Sequence, residues 1–302
     1  MYMFKNGIGE TSEFSRFHPL VNLIYFSFVI GITMFSMTPY FLIATLVTSW
    51  IYSVLLKGKK ILKQNAYISI FTILLTAVLN VFFTHEGVTI LFYINDNAIT
   101  MESLIYGLSS GVMLASVIIW FTGFNVVMSA DKLIFIFGKA APVLGLTLSM
   151  IFRYVPLLKE RYSEIHMGQV CLGRGNEKGF FNKIRQFGKE VSILVSWSLE
   201  SSIESADSME ARGYGLKGRT SFNLYRIERR DVVLISVMTL MGTVVIILNL
   251  LGKNSISFYP VYKYSMNVWN GLTLGAYIIL VGMPIVMDIY GEAKWRRSDL
   301  AI

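Results

Sequence analysis

Two arginines set among neighbours with almost no side chain are the residues here best suited to specific recognition chemistry: Gly173-Arg174-Gly175 and Ala211-Arg212-Gly213. A guanidinium is a rigid, permanently charged fork that makes paired hydrogen bonds to a carboxylate. Small flanking residues let the backbone come close to another surface, so the charged group can enter a partner's groove. Each arginine also falls at or near the C-terminal end of an expected helix, where a cation offsets the helix dipole by about 0.3–1 kcal/mol. That effect accounts for the charges but not for the small neighbours.

Other reactive residues do not converge. Cys171 is the single cysteine, with no metal-ligand spacing around it. His18, His85 and His166 lie far apart and outside any HExxH pattern, so they read as isolated surface or packing residues and no metal site is expected. Gly213 to Gly218 fits GxGxxG, and Gly213 to Thr220 fits a phosphate loop with Arg219 where lysine is needed. Both motifs need a strand running into the glycines and a helix leaving them. Here a helix runs in and a polar connector, 221–230, leads out. The glycines therefore read as a helix stop, since glycine adopts the left-handed cap conformation, and no bound cofactor is expected.

These residues sit in a chain of 302 that is 54% hydrophobic and 15% charged, with mean hydropathy +0.56. A soluble domain carries roughly a quarter charged residues; this balance is that of a polytopic membrane protein. The net charge of +8 is explained by basic cytoplasmic loops rather than by nucleic acid. Glu10 and Glu13 precede the first apolar run and no small-residue cleavage site follows it, so that run is expected to be retained.

The expected fold is all-α, with six membrane spans at 20–37, 40–56, 66–83, 103–128, 231–251 and 268–287. Thr38-Pro39 makes the first turn. The loop holding Lys57, Lys59, Lys60 and Lys63 is basic and hence cytoplasmic, whereas 85–102 carries Glu86, Asp96 and Glu102 without lysine or arginine and hence lies outside. Residues 252–266 form a second outside loop. The tail Lys294-Trp295-Arg296-Arg297 returns to the cytoplasm. The chain thus divides into spans one to four (1–129), a cytoplasmic or interfacial helical region (130–230), and the last two spans with the tail (231–302).

Within 130–230, the apolar segment 133–151 is interrupted by Lys139 and Pro142; it is either a buried membrane hairpin or an amphipathic interfacial element. Pro156 is read as a break. Two polar helices follow, 157–172 and 182–212. On the second, Ile184, Phe187, Val191, Leu194, Leu199, Ile203 and Ala206 form one stripe at helical spacing, expected to pack on the neighbouring helix over most of its length.

The spans are poor in charge, with no paired carboxylates inside them. Proton- or sodium-driven carriers and intramembrane enzymes normally place ionisable groups there. A stand-alone secondary transporter binding its own small molecule between the spans is the alternative reading; a reactive membrane enzyme lacks convergent groups.

Glu210-Ala211-Arg212-Gly213-Tyr214, the Arg174 site, the His18-Pro19 start and the layout of spans resemble the transmembrane (T) component of energy-coupling factor (ECF) transporters, ABC-type uptake systems for vitamins and metals. The similarity covers nearly the whole chain. The second motif is a close match; the first has Gly173 where the family often has alanine, which predicts earlier fraying of that helix. The resemblance implies a non-catalytic, multi-pass scaffold of the bacterial plasma membrane with both termini cytoplasmic. It implies that Arg174 and Arg212 each dock on one of two ABC ATPase subunits, with Gly173, Gly175, Ala211 and Gly213 as close-approach neighbours. It further implies that exposed apolar positions of the cytoplasmic helices hold an exchangeable substrate-binding (S) component. ATP is bound by the partners, and their motion passes through these coupling helices to the S component, which carries the cargo specificity.

Overall fold

The computed structural model describes residues 12–84, 87–94, 97–173, 179–216, 225–251, 258–259 and 268–299. The chain forms two compact units, Met1–Ser129 with Tyr225–Ile302, and Ala130–Leu224.

The first unit holds α1 (Pro19–Phe35), α2 (Pro39–Lys57), α3 (Ile61–Phe83), the strands β1 (Ile90–Ile94) and β2 (Asn97–Thr100), and α4 (Met101–Val127). Two helices that follow the second unit in sequence, Arg229–Leu250 and Val268–Asp299, complete it. The His18-Pro19 pair starts α1 for a visible reason. His18 Nδ1 accepts the Leu20 N–H at 3.2 Å, and Pro19 occupies a first-turn position that needs no donor. Lys57 closes α2, and Gly58 takes φ 76° to turn the chain into α3.

α4 packs along α3 and α2, and α1 packs on α4. Lipid tails are as apolar as leucine, so close backbone approach and internal hydrogen bonds must hold such helices together. Both are present. Gly107 and Gly111 of α4 face Thr76, Ala77 and Ile73 of α3, and a Cβ on Gly111 would sit 2.6 Å from Ile73 Cα. A buried polar knot links α1, α2 and α4: the Thr33 and Thr45 hydroxyls lie 3.2 Å apart, and Trp120 Nε1 donates to Thr45 Oγ1 at 3.1 Å. The Tyr277 hydroxyl joins it, 2.9 Å from Thr33 Oγ1. Phe14, Tyr25, Phe26, Tyr52 and Trp120 belong to one buried aromatic cluster in this unit.

The second unit holds α5 (Ala130–Ala140), α6 (Pro142–Cys171) and α7 (Phe180–Ala211). α5 and α6 form a hairpin around the pair Gly138 and Gly145, so close that a Cβ on Gly145 would overlap Gly138 Cα. The remaining helices of the first unit are α8 (Arg229–Leu250), lying on α1, and α9 (Val268–Asp299), lying on α8 and α2. Two buried carboxylates pin the chain ahead of α1. Asp288 Oδ1 accepts the Phe14 N–H at 2.9 Å; Asp231, which caps α8 through the Glu228 N–H at 2.9 Å, also accepts the His18 N–H at 3.5 Å.

The all-α polytopic class holds. Among the described residues, five helical stretches are long and apolar enough to cross a membrane: Pro39–Lys57, Ile61–Phe83, Met101–Val127, Arg229–Leu250 and Val268–Lys294. The expected six spans become these five plus α1, whose 17 residues reach only about 25 Å at ~1.5 Å each. Four further details differ from the sequence reading. Pro156 does not break a helix but lies inside α6; it is exposed, so the carbonyl it leaves without a donor can take water. The stretch 85–102 is not plain loop, because β1 and β2 pair antiparallel; its β-branched and aromatic residues favour strand. The tail continues α9 as far as Asp299 rather than leaving it at 287. The stripe on α7 meets its neighbour only in part: Val191 and Leu194 are half-buried, while Leu199 and Ile203 are 63% and 64% exposed. The outside loop expected at 252–266 lies almost wholly outside the described residues.

Candidate functional site

α7 ends in a fully formed Schellman motif. Arg212 is its cap residue, with φ −84° and ψ 8°. Gly213 follows at φ 78°, a conformation that a side chain would strain. The Gly213 N–H bonds the Glu210 carbonyl at 2.8 Å and the Tyr214 N–H bonds the Met209 carbonyl at 2.9 Å. The last turn is thereby closed on itself, and Ala211 and Arg212 stand exposed at the end of a 32-residue helix. The glycine run that resembles a phosphate loop is entered by a helix, as the sequence reading has it, and its first glycine is the helix stop.

α6 ends in a related way. Leu172 caps it, and Gly173 follows at φ 77° with its N–H on the Val170 carbonyl at 2.9 Å. Arg174 and Gly175 lie outside the described residues. The two ends are therefore not equivalent. Arg212 precedes its helix-stopping glycine; Arg174 follows its own. With Gly173 in place of alanine the helix stops before it reaches the arginine, in line with the expected early end.

α6 and α7 run antiparallel, held by a polar clasp that the sequence reading missed. Along the pair, the Tyr154 hydroxyl lies 2.8 Å from Ser205 Oγ, the Arg161 guanidinium sits 5.1 Å from the Trp197 ring centroid, and His166 Nδ1 lies 2.9 Å from Glu190 Oε1. Gln186 Nε2 also donates to Glu190 Oε1, at 3.0 Å. Glu190 is only 2% exposed, on a helix otherwise largely bare. Burial would push its carboxyl up, but hydrogen bonds from His166, Gln186 and Tyr162 outweigh burial and hold it below the ordinary carboxylate range. The partner responds in the opposite sense: burial first, then the bond to Glu190, pushes the Tyr162 hydroxyl up. The ring of Phe187 meets Tyr162 edge-on, with centroids 6.1 Å apart.

His166 is thus not an isolated histidine; it is one rung of this clasp. A signal for the clasp was present: Tyr162 and His166 on one helix, and Gln186 and Glu190 on the next, are both spaced by four residues, so each pair shares a face. The antiparallel run carries the Gly173 end and the Arg212 end to opposite ends of the pair, separated by the 32 residues of α7, or roughly 48 Å of helix. Among the described residues no group of three or more metal-ligating side chains is found.

What this unit offers chemically is surface for binding. It offers two capped helix tips far apart, an antiparallel pair held by polar contacts between them, and exposed apolar side chains along its length. No curated protein matches the chain. Residues 10–222, more than two thirds of its length, match the CbiQ family, described as cobalt transport protein. The chain is a multi-pass membrane protein of this family, the transmembrane (T) components of energy-coupling factor transporters.

Proposed function

We propose that the chain is the non-catalytic coupling subunit of an ATP-driven ECF importer in the bacterial plasma membrane, with both termini cytoplasmic. The observation that carries this reading is the end of α7. Its Schellman cap fixes Arg212 at the exposed tip of a long helix, in the sequence Ala211-Arg212-Gly213 whose small neighbours allow close approach. A guanidinium held there can make forked bonds to a carboxylate on an ABC ATPase subunit. Arg174, beyond the end of α6, docks on the second ATPase, with Gly173 and Gly175 beside it. The ATPases bind and hydrolyse ATP, and the chain itself binds none.

The exposed apolar residues between the two tips, among them Phe187, Leu199 and Ile203 on α7 and Val155 on α6, hold the substrate-binding S component. ATP-driven motion enters at the helix ends, crosses the clasped pair and reaches that subunit, which releases a vitamin or metal cargo inside. Cargo choice belongs to the S component.

The test is a charge reversal. With ATPase and S-component genes expressed alongside, the tagged chain should bring the ATPases through purification and support uptake. Arg174→Glu with Arg212→Glu should abolish both. An intact complex and unchanged uptake in that double variant would refute the docking assignment, and gradient-driven uptake by the chain alone in liposomes would refute the coupling role.

A further inference from the structure

The hairpin formed by β1 and β2 sits at the end of α3 opposite the basic 57–63 turn, and it is apolar where a water-exposed hairpin would be polar. A strand with one face in water alternates apolar and polar residues. β1 instead reads Ile90-Leu91-Phe92-Tyr93-Ile94 without interruption. Ile90, Leu91 and Tyr93 are all exposed, Tyr93 at 65%, and Val88 ahead of them is exposed too. From Gly87 to Ile94 there is no charged residue.

The hairpin is anchored. Glu102, in the first turn of α4 and 3% exposed, accepts the Thr89 N–H at 3.2 Å and the Thr89 hydroxyl at 2.7 Å. The Met101 N–H returns a bond to the Thr89 carbonyl at 2.9 Å. Gly87 lies so close to this clamp that a Cβ would come 2.6 Å from Glu102 Oε2. β2 turns Ile99 and Thr100 inward, both buried, and lies on α3 and α4. The exposed apolar side chains therefore belong to the outer strand of a fixed element.

We infer that this hairpin is a membrane-interface anchor, with β1 resting on a phospholipid surface at the boundary of headgroups and acyl chains. Continuity selects lipid as the occupant. α3 is the barest of the five long apolar helices among the described residues, with 11% of its apolar stretch buried. Its outward residues Leu74, Leu75, Val78, Phe82 and Phe83 are all exposed, and they run up to the hairpin that β2 lays against the same helix. Backbone chemistry sets the depth. β1 is an edge strand with unpaired N–H and C=O groups, which the hydrocarbon core does not tolerate but the hydrated headgroup layer does. Tyr93 suits that layer, its ring apolar and its hydroxyl wet.

The test uses the full chain in nanodiscs of phosphatidylcholine and phosphatidylglycerol. Cys171, the free cysteine, is changed to Ser, and a spin label is placed at Leu91→Cys or Tyr93→Cys. Leu79→Cys on α3 is the lipid control and Lys59→Cys the water control. Collisions with oxygen and with a water-soluble nickel chelate are then compared. The expected result is an oxygen-to-nickel ratio several-fold above that at Lys59, between the two controls, with broadening by a shallow lipid-borne quencher. A ratio equal to that at Lys59 puts the hairpin in water and overturns the inference. Shielding from both reagents means that protein covers the strand, a second copy of the chain included, and overturns it equally. The two cysteine positions serve as each other's check, since both side chains are exposed and neither supports the Thr89–Glu102 clamp.

Discussion

Replacing Glu190 by alanine tests whether the two long helices of the second unit are held by polar contacts. Glu190 is 2% exposed and takes bonds from His166 at 2.9 Å and Gln186 at 3.0 Å, with Tyr162 as a third donor. A hydrogen bond to a charged group contributes about 1.5–3 kcal/mol when its removal leaves the partner buried. His166 is 48% exposed and can return to water, so the whole cluster is worth less than three such bonds. A loss of about 1–3 kcal/mol, or a 5- to 150-fold rise in the opening equilibrium, is the expected result. Hydrogen exchange on the purified full chain in nanodiscs reads it directly: amides of 157–170 and 184–195 should exchange faster by that factor, while those of α4 stay unchanged. Equal exchange in Glu190→Ala and the parent would show that the clasp does not hold the pair. The pH dependence gives a second reading. The folded-state value of Glu190 is the lower one, so its stabilisation is complete above the ordinary carboxylate value of about 4.3 and fades as pH falls through the folded value. Glu190→Gln should remove that acid-induced loosening while keeping the side chain's size.

Two other substitutions probe the frame and the helix tip. Gly111→Leu would push a side chain onto Thr76 and the Ile73 backbone; overpacking of this kind costs about 1–3 kcal/mol, so the melting temperature in detergent should fall, and an unchanged value would mean α3 and α4 can separate freely. Gly213→Val meets both the left-handed φ of 78° and the Leu216 side chain at 2.9 Å, which together cost on the order of 1–2 kcal/mol. Faster amide exchange at 208–214 and weaker ATPase co-purification are expected, with Gly213→Asn milder; full protection in the valine variant would contradict the cap.

The spans were legible because each is a long apolar run closed by charge, proline or glycine. α3 and α8 differ from the expected ranges only at their ends, where a helix outlasts its hydrophobic stretch. The caps were legible too, since the positive φ of Gly213 follows from glycine's place after a periodic run. Pro156 misled because proline breaks a helix by local rules, yet an exposed position in a long helix tolerates it. The β1–β2 hairpin was hidden because 85–102 was read for its loop charges, Glu86 and Asp96 among them, and charge says nothing of the local structure. Partial exposure of the α7 stripe could not be read at all. Periodicity tells which residues share a face, not whether α6 is long or close enough to cover it. The clasp lies between these extremes: both four-residue spacings are in the sequence, but their meeting depends on the register of two helices across a turn.

The bareness of α7 has a consequence for the life of the molecule in the cell. Leu199, Ile203, Phe180 and Phe181 stand uncovered in the chain by itself, and adhesive surface of this kind is what chaperones and proteases recognise. Copies made in excess of whatever covers these side chains are orphans, open to aggregation or degradation. The steady-state amount of this protein should therefore follow the supply of its companions more closely than the level of its own message.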